Sequence, residues 1–68
     1  MKNNRHTPKL TPAEVKRLEQ FINKNGGQIR AGMLFGVTDA TLSRNIHGHT
    51  APSPMLYKLY QKAGIVKA

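Results

Sequence analysis

Apolar residues between positions 10 and 65 recur at helical spacings, and residues that start or stop helices fence each run. Val15, Leu18, Phe21 and Ile22 repeat every three or four positions with Lys16, Arg17 and Glu19 between them, the pattern of an amphipathic helix. Thr11 can cap its start, Pro12 suits the first helical position, and Glu14 completes a T-x-x-E capping box. Leu10 can close onto Val15 as a hydrophobic staple. Asn25-Gly26-Gly27 ends the run, because Gly takes the left-handed conformation without penalty. A short second helix is predicted over about 28–35. Gly32 inside it lowers intrinsic helicity by about 1 kcal/mol relative to Ala, which implies that another backbone comes close there. A third helix starts after Thr38, whose hydroxyl can cap free amides, and runs to about His47, with Leu42 and Ile46 as its core pair. Gly48 ends it, and "HTAPS" is a loop. Ser53 and Pro54 open a fourth helix with Met55, Leu56 and Leu59 as expected core contacts. Ala63-Gly64-Ile65 closes it, Gly64 left-handed and Ile65 folding back. Residues 1–9 are polar and basic without apolar periodicity and read as a flexible arm, leaving 10–68 as the folded domain. Four short helices with short connections make an all-α domain.

Sixty-eight residues without a single Cys allow one domain, built on packed side chains rather than disulfides. No apolar run approaches the roughly 18 residues that read as a membrane span. The basic "MKNNRHTPK" leads into no apolar signal segment, so a cytoplasmic location is expected. Charge changes the picture most. Eleven Lys and Arg face three acids, a formal net charge of +8, which favours polyanionic partners. From residue 20 onward Asp39 is the only acid against six Lys and Arg. Catalytic chemistry finds no support. "NGGQ" lacks the Lys and Ser/Thr of a phosphate loop, and Ser43 lies four residues before His47 with no third group to orient that histidine. His6, His47 and His49 have no further ligands at suitable spacing. Neither an enzyme, nor a metal, nor a cofactor is expected.

The stretch "FGVTDATLSRNIHG" at 35–48 breaks one helix and restarts another almost at once. Two helices meeting steeply through a short turn need a residue without a Cβ penalty at the turn, here Gly36. They also need a small residue where they touch, here Gly32, and apolar anchors on both sides: Phe35, Val37, Leu42 and Ile46. This is the pattern of a helix-turn-helix, whose second helix enters the DNA major groove. The segment "GQIRAGMLFGVTDATLSRNIHG" resembles that motif in the phage Cro and repressor (XRE-like) family. The shared points are Gln28, the small residue at 32, the turn "FGV", Leu42, Arg44 and the closing "IHG"; "APSPMLYKLYQKAGI" is similar to the family's following helix. The likeness covers about residues 11–65. Gly32 stands where the family usually has Ala, Asp39 where Gln is frequent, and Asn45 where an apolar residue is common, with Ile46 expected to take its place. The chain stops soon after the fourth helix, leaving little of the element that many relatives use to dimerise.

The resemblance implies a lambda-repressor/Cro-like four-helix fold and a phage or prophage transcriptional repressor that occludes a promoter in a bacterial host cell. Its groove-facing residues are Thr38, Asp39, Ala40, Ser43, Arg44 and His47. Positions 39, 40, 43, 44 and 47 also follow helical spacing opposite Leu42 and Ile46. Arg44 can pair bidentately with guanine O6 and N7, Ser43 can donate or accept, and Ala40 can pack on a thymine methyl. Asp39 can accept from cytosine N4 or serve only the helix dipole. Phosphate contacts are expected from Gln28, Arg30, His49 and Thr50, with help from Thr38, and from Lys2, Arg5 and Lys9 in the arm. Met55, Tyr57, Tyr60, Ile65 and Val66 are the candidates for a homodimer formed or strengthened on DNA. Two alternatives use the same residues otherwise: a helix-turn-helix for protein contact, of antitoxin or adaptor type, with incidental nucleic-acid affinity; or nonspecific binding by charge alone. Competition separates them, since an operator binder prefers its site over random duplex by about 10³-fold or more.

Overall fold

Thr11, Thr38 and Ser53 each turn a hydroxyl oxygen onto a free amide at a helix start, accepting from Glu14, Thr41 and Leu56 respectively. The computed structural model describes residues 7–67, which form α1 (Pro12–Lys24), α2 (Gln28–Phe35), α3 (Asp39–Ile46) and α4 (Pro54–Ala63), and no strand among them. Thr11 and Glu14 make the reciprocal capping box, the Thr11 amide donating to Glu14 Oε1 at 2.9 Å. α2 and α4 end alike. Gly36 and Gly64 adopt left-handed φ of 74° and 82°. Behind them the Val37 amide donates to the Gly32 carbonyl at 2.8 Å and the Ile65 amide to the Tyr60 carbonyl at 2.9 Å. These are the long-loop bonds of the Schellman motif, and they satisfy carbonyls that the helix itself leaves open.

The core gathers Leu10, Leu18, Ile22, Ala31, Leu42, Leu56, Tyr60, Ile65 and Val66, with Val15, Phe21, Phe35, Val37, Ile46 and Tyr57 packed around it. Phe21 stacks on Phe35 with centroids 5.1 Å apart, and Phe35 meets Tyr60 edge-on at 5.3 Å. This aromatic file joins α1, α2 and α4. α2 turns Ala31 and Gly32 inward and leaves Ile29, Met33 and Leu34 exposed. The small residues face inward because the next segment lies against them. A Cβ built on Gly32 would sit 2.6 Å from the Val37 carbonyl oxygen, so the close backbone approach inferred from the sequence is present.

Four expectations about the core need correction. Met55 is 75% exposed and Leu59 only half-buried, because α4 directs Leu56 and Tyr60 inward. At the end of α3 the buried position belongs to Asn45, at 1% exposure, and Ile46 is half-buried. Asn45 is accommodated because both ends of its amide find partners: the buried Tyr60 hydroxyl donates to Asn45 Oδ1 at 2.9 Å, and Asn45 Nδ2 donates to the Thr50 carbonyl and Oγ1, each at 3.3 Å. Finally, Tyr60, Ile65 and Val66 lie inside the monomer. They are therefore withdrawn from any contact with a second copy, and Met55 and half-buried Tyr57 alone remain of that set. The tail is held by Arg17, whose Nη1 donates to the Ile65 carbonyl at 2.9 Å. No helix among the described residues is long and apolar enough to cross a membrane.

Burial pushes the Tyr60 hydroxyl well above the ordinary tyrosine range. The folded chain thus holds that proton more tightly than the unfolded chain. This contribution to stability is complete below about pH 10, the unfolded tyrosine value, and is lost as pH rises from there toward the folded value. Above pH 10 the unfolding free energy measured by urea titration should fall, by up to about 1.4 kcal/mol per pH unit from this group. Tyr60→Phe should remove that part of the slope. Equal slopes in the two proteins would show that Tyr60 ionises without unfolding.

Candidate nucleic-acid interface

α3 is eight residues long, and its inward positions are Leu42 and Asn45. Helical periodicity therefore places Asp39, Ala40, Ser43, Arg44 and His47 along the other side. Asp39, Ala40, Arg44 and His47 are exposed and Ser43 is half-buried. The row predicted from spacing is thus brought together on one outward face.

Two contacts hold that face against α2. Gly32 lets the 37–39 backbone lie directly on α2, with Thr38 C and Asp39 N at 3.3 and 3.4 Å from its would-be Cβ. Gln28 Nε2 donates to the Asp39 carbonyl at 3.1 Å, tying the first residue of α2 to the first residue of α3. Gln28 therefore positions α3 through its side chain. Its backbone amide stands at a helix start that Gly27 leaves without a side-chain cap, so an anion can be received there.

Thr38 is exposed, but its hydroxyl is committed to the cap: Oγ1 accepts from the Thr41 amide at 3.3 Å and lies 3.1 Å from Thr41 Oγ1. Its first role is to start α3. At the other end His47 Nδ1 lies 2.9 Å from the Ser43 carbonyl and 3.3 Å from Ser43 Oγ. A carbonyl can only accept, so Nδ1 carries the hydrogen in this bond. Nε2 is the ring nitrogen left for outward contacts. Arg44 occupies the last turn, where its charge complements the helix dipole.

The chain after α3 doubles back onto it. His49 N–H donates to the Arg44 carbonyl at 3.0 Å, and Thr50 is held from below by Asn45. Both His49 and Thr50 are exposed, and the His47 and His49 ring centroids are 6.1 Å apart. Thr7, half-buried, donates its hydroxyl to the Pro52 carbonyl, so the described chain begins beside this same loop, with Lys9 exposed close by in sequence. Lys2 and Arg5, and His6 with them, lie outside the described residues.

Arg30 is not brought to this face. Two positions along a helix is a half-turn, so it points away from Gln28 and lines a separate groove with Asn25, Ile29, Met33 and Leu34. Asn45 is the residue that sequence reasoning missed. It fixes the 48–50 loop to α3 and α4, and the available signal was a polar side chain at an apolar period, with a Tyr on the following helix to receive it. No protein-family model, no curated protein and no solved structure significantly matches this chain.

Proposed function

We propose that the chain is a sequence-specific DNA-binding regulator of the Cro and repressor kind. In this reading α2 and α3 are the helix-turn-helix, α3 lies in the major groove, and occupancy of an operator blocks a promoter in a bacterial cell. The observation that carries it is the outward row Asp39, Ala40, Ser43, Arg44 and His47 on a helix locked to its predecessor by Gln28 and Gly32, in a chain of net charge +8. Arg44 reads guanine, Ala40 packs on a thymine methyl, and Ser43 and His47 supply adaptable polar atoms. Gln28, His49, Thr50 and Lys9 supply the phosphate contacts that set the register. Asp39 accepts from a cytosine amino group or acts on the helix dipole alone. One such module buries about 600–1,000 Å² of protein surface, so binding is strengthened when two copies occupy half-sites about 34 Å apart. With Tyr60, Ile65 and Val66 in the core, pairing draws on Met55 and Tyr57 and depends on the DNA to bring the copies together.

Selection of binding sites from random duplexes tests this directly. A consensus should emerge that outcompetes random duplex by about 10³-fold or more; enrichment of no sequence overturns the reading in favour of binding by charge. On the selected site, Arg44→Ala should lose about 1–3 kcal/mol and relax base choice at one position. Equal weakening on every duplex would make Arg44 a phosphate contact instead.

A further inference from the structure

The outward side of α2 runs against the usual rule. Ile29, Met33 and Leu34 are 67, 73 and 62% exposed, while the smaller Ala31 and Gly32 face the core. Ile29 and Met33 are one turn apart and Leu34 adjoins them, so they form one contiguous strip across two turns of helix. Scattered apolar residues on a surface mean little, but a contiguous strip this large relative to so small a chain marks a place of contact. The strip is also a groove, bordered by Asn25 and Arg30. Asn25 commits its Nδ2 to α1, donating to the Phe21 carbonyl at 2.8 Å. Arg30 is set at its edge: its stem lies across Gly26, with Cδ only 2.8 Å from where a Cβ would stand. Gly26, at φ 89°, makes room for that stem. The groove therefore offers three apolar side chains, one placed cation and no carboxylate.

We infer that this face of α2 docks an acidic amphipathic helix of a partner protein. Its apolar side chains, one turn apart, cover Ile29, Met33 and Leu34, and a carboxylate beside them pairs with Arg30. Charge selects this occupant over a second copy of the chain. Each copy carries +8 and only three acids, none of them lining the groove, so self-docking brings Arg30 and its net charge against their like. An acidic segment is attracted by both. The site is separate from the α3 row, and the inference stands without the DNA reading.

The test uses the full chain and a synthetic helical peptide of about 14 residues, long enough to hold helix in contact, with leucines at i, i+4 and i+7 and glutamates flanking them. Two controls accompany it: an isomer with the same charge and dispersed leucines, and an analogue with lysines for the glutamates. Fluorescence anisotropy should show binding of the first peptide about tenfold or more tighter than of either control. Ile29→Ser with Met33→Ser should abolish the difference between the first peptide and its isomer, and Arg30→Gln should weaken the first peptide about threefold or more. All three positions are exposed, and thermal melting confirms that the variants remain folded. Equal binding of the two acidic peptides would reduce the contact to general electrostatics and overturn the inference. So would a concentration-dependent dimer in sedimentation that Met33→Ser abolishes, because the groove then belongs to a second copy.

Discussion

Gly32→Ala should destabilise the fold by about 2 kcal/mol, and Gly32→Val by about 3 kcal/mol or more. Helix propensity alone argues the reverse, since Ala in a helix interior is favoured over Gly by about 1 kcal/mol. The deciding distance is the 2.6 Å from the new Cβ to the Val37 carbonyl oxygen. That oxygen belongs to the backbone of the turn, which cannot rotate aside like the end of a long side chain. Thr38 C and Asp39 N stand directly behind it at 3.3 and 3.4 Å, so relief requires the start of α3 to move away from α2. The shift would stretch the Gln28–Asp39 bond and tilt the outward row that the proposed function depends on. Gly36→Ala is the matching control. Its site is open but left-handed, at φ 74°, and costs only the local strain of about 1–2 kcal/mol. Urea denaturation of both variants measures the difference, and amide shifts for Val37 to Asp39 should move in Gly32→Ala. If Gly32→Ala proves as stable as the parent, the turn yields to a Cβ at position 32 without displacing α3.

The helices were legible because local chemistry decides where they start and stop. Thr11-Pro12-Ala13-Glu14, Ser53-Pro54, Gly36 and Gly64 each act through bonds within one turn, and the structure contains those bonds. The outward row of α3 was legible for a related reason: with Leu42 fixed inward, periodicity settles the opposite side. Direction was less legible wherever close packing overrides size. On α2, small Ala31 and Gly32 face inward and large Ile29, Met33 and Leu34 face out, because the turn approaches too closely for a side chain to intervene. At α4 the spacing of Met55, Leu56, Leu59 and Tyr60 allows more than one inward face. The choice falls to Leu56 and Tyr60 because Tyr60 must reach both Phe35 and Asn45. No single helix contains that information.

Asn45→Ala should lose about 2–4 kcal/mol. The amide is 1% exposed and its three bonds satisfy groups on two other segments: the Tyr60 hydroxyl, and the Thr50 carbonyl and hydroxyl. Truncation leaves the Tyr60 hydroxyl buried without an acceptor and opens a void between α3 and α4. Tyr60→Phe makes the converse error, stranding Asn45 Oδ1 at a cost of about 1–3 kcal/mol. Removing both polar groups together with Asn45→Leu and Tyr60→Phe strands neither, because the exposed Thr50 can bond water instead. The double variant should therefore be more stable than the summed losses of Asn45→Leu alone and Tyr60→Phe alone predict, with a coupling of about 1 kcal/mol or more. Function should respond differently from stability. Without the Asn45 amide the 48–50 loop keeps only its backbone bonds to α3, so amide exchange at His49 and Thr50 should quicken even where the double variant regains stability. DNA affinity should stay reduced with it, since the proposed phosphate contacts at those two residues are no longer held in register. Strict additivity in the cycle would show that Asn45 and Tyr60 act independently. Restored affinity in the double variant would remove Asn45 from any part in positioning the loop.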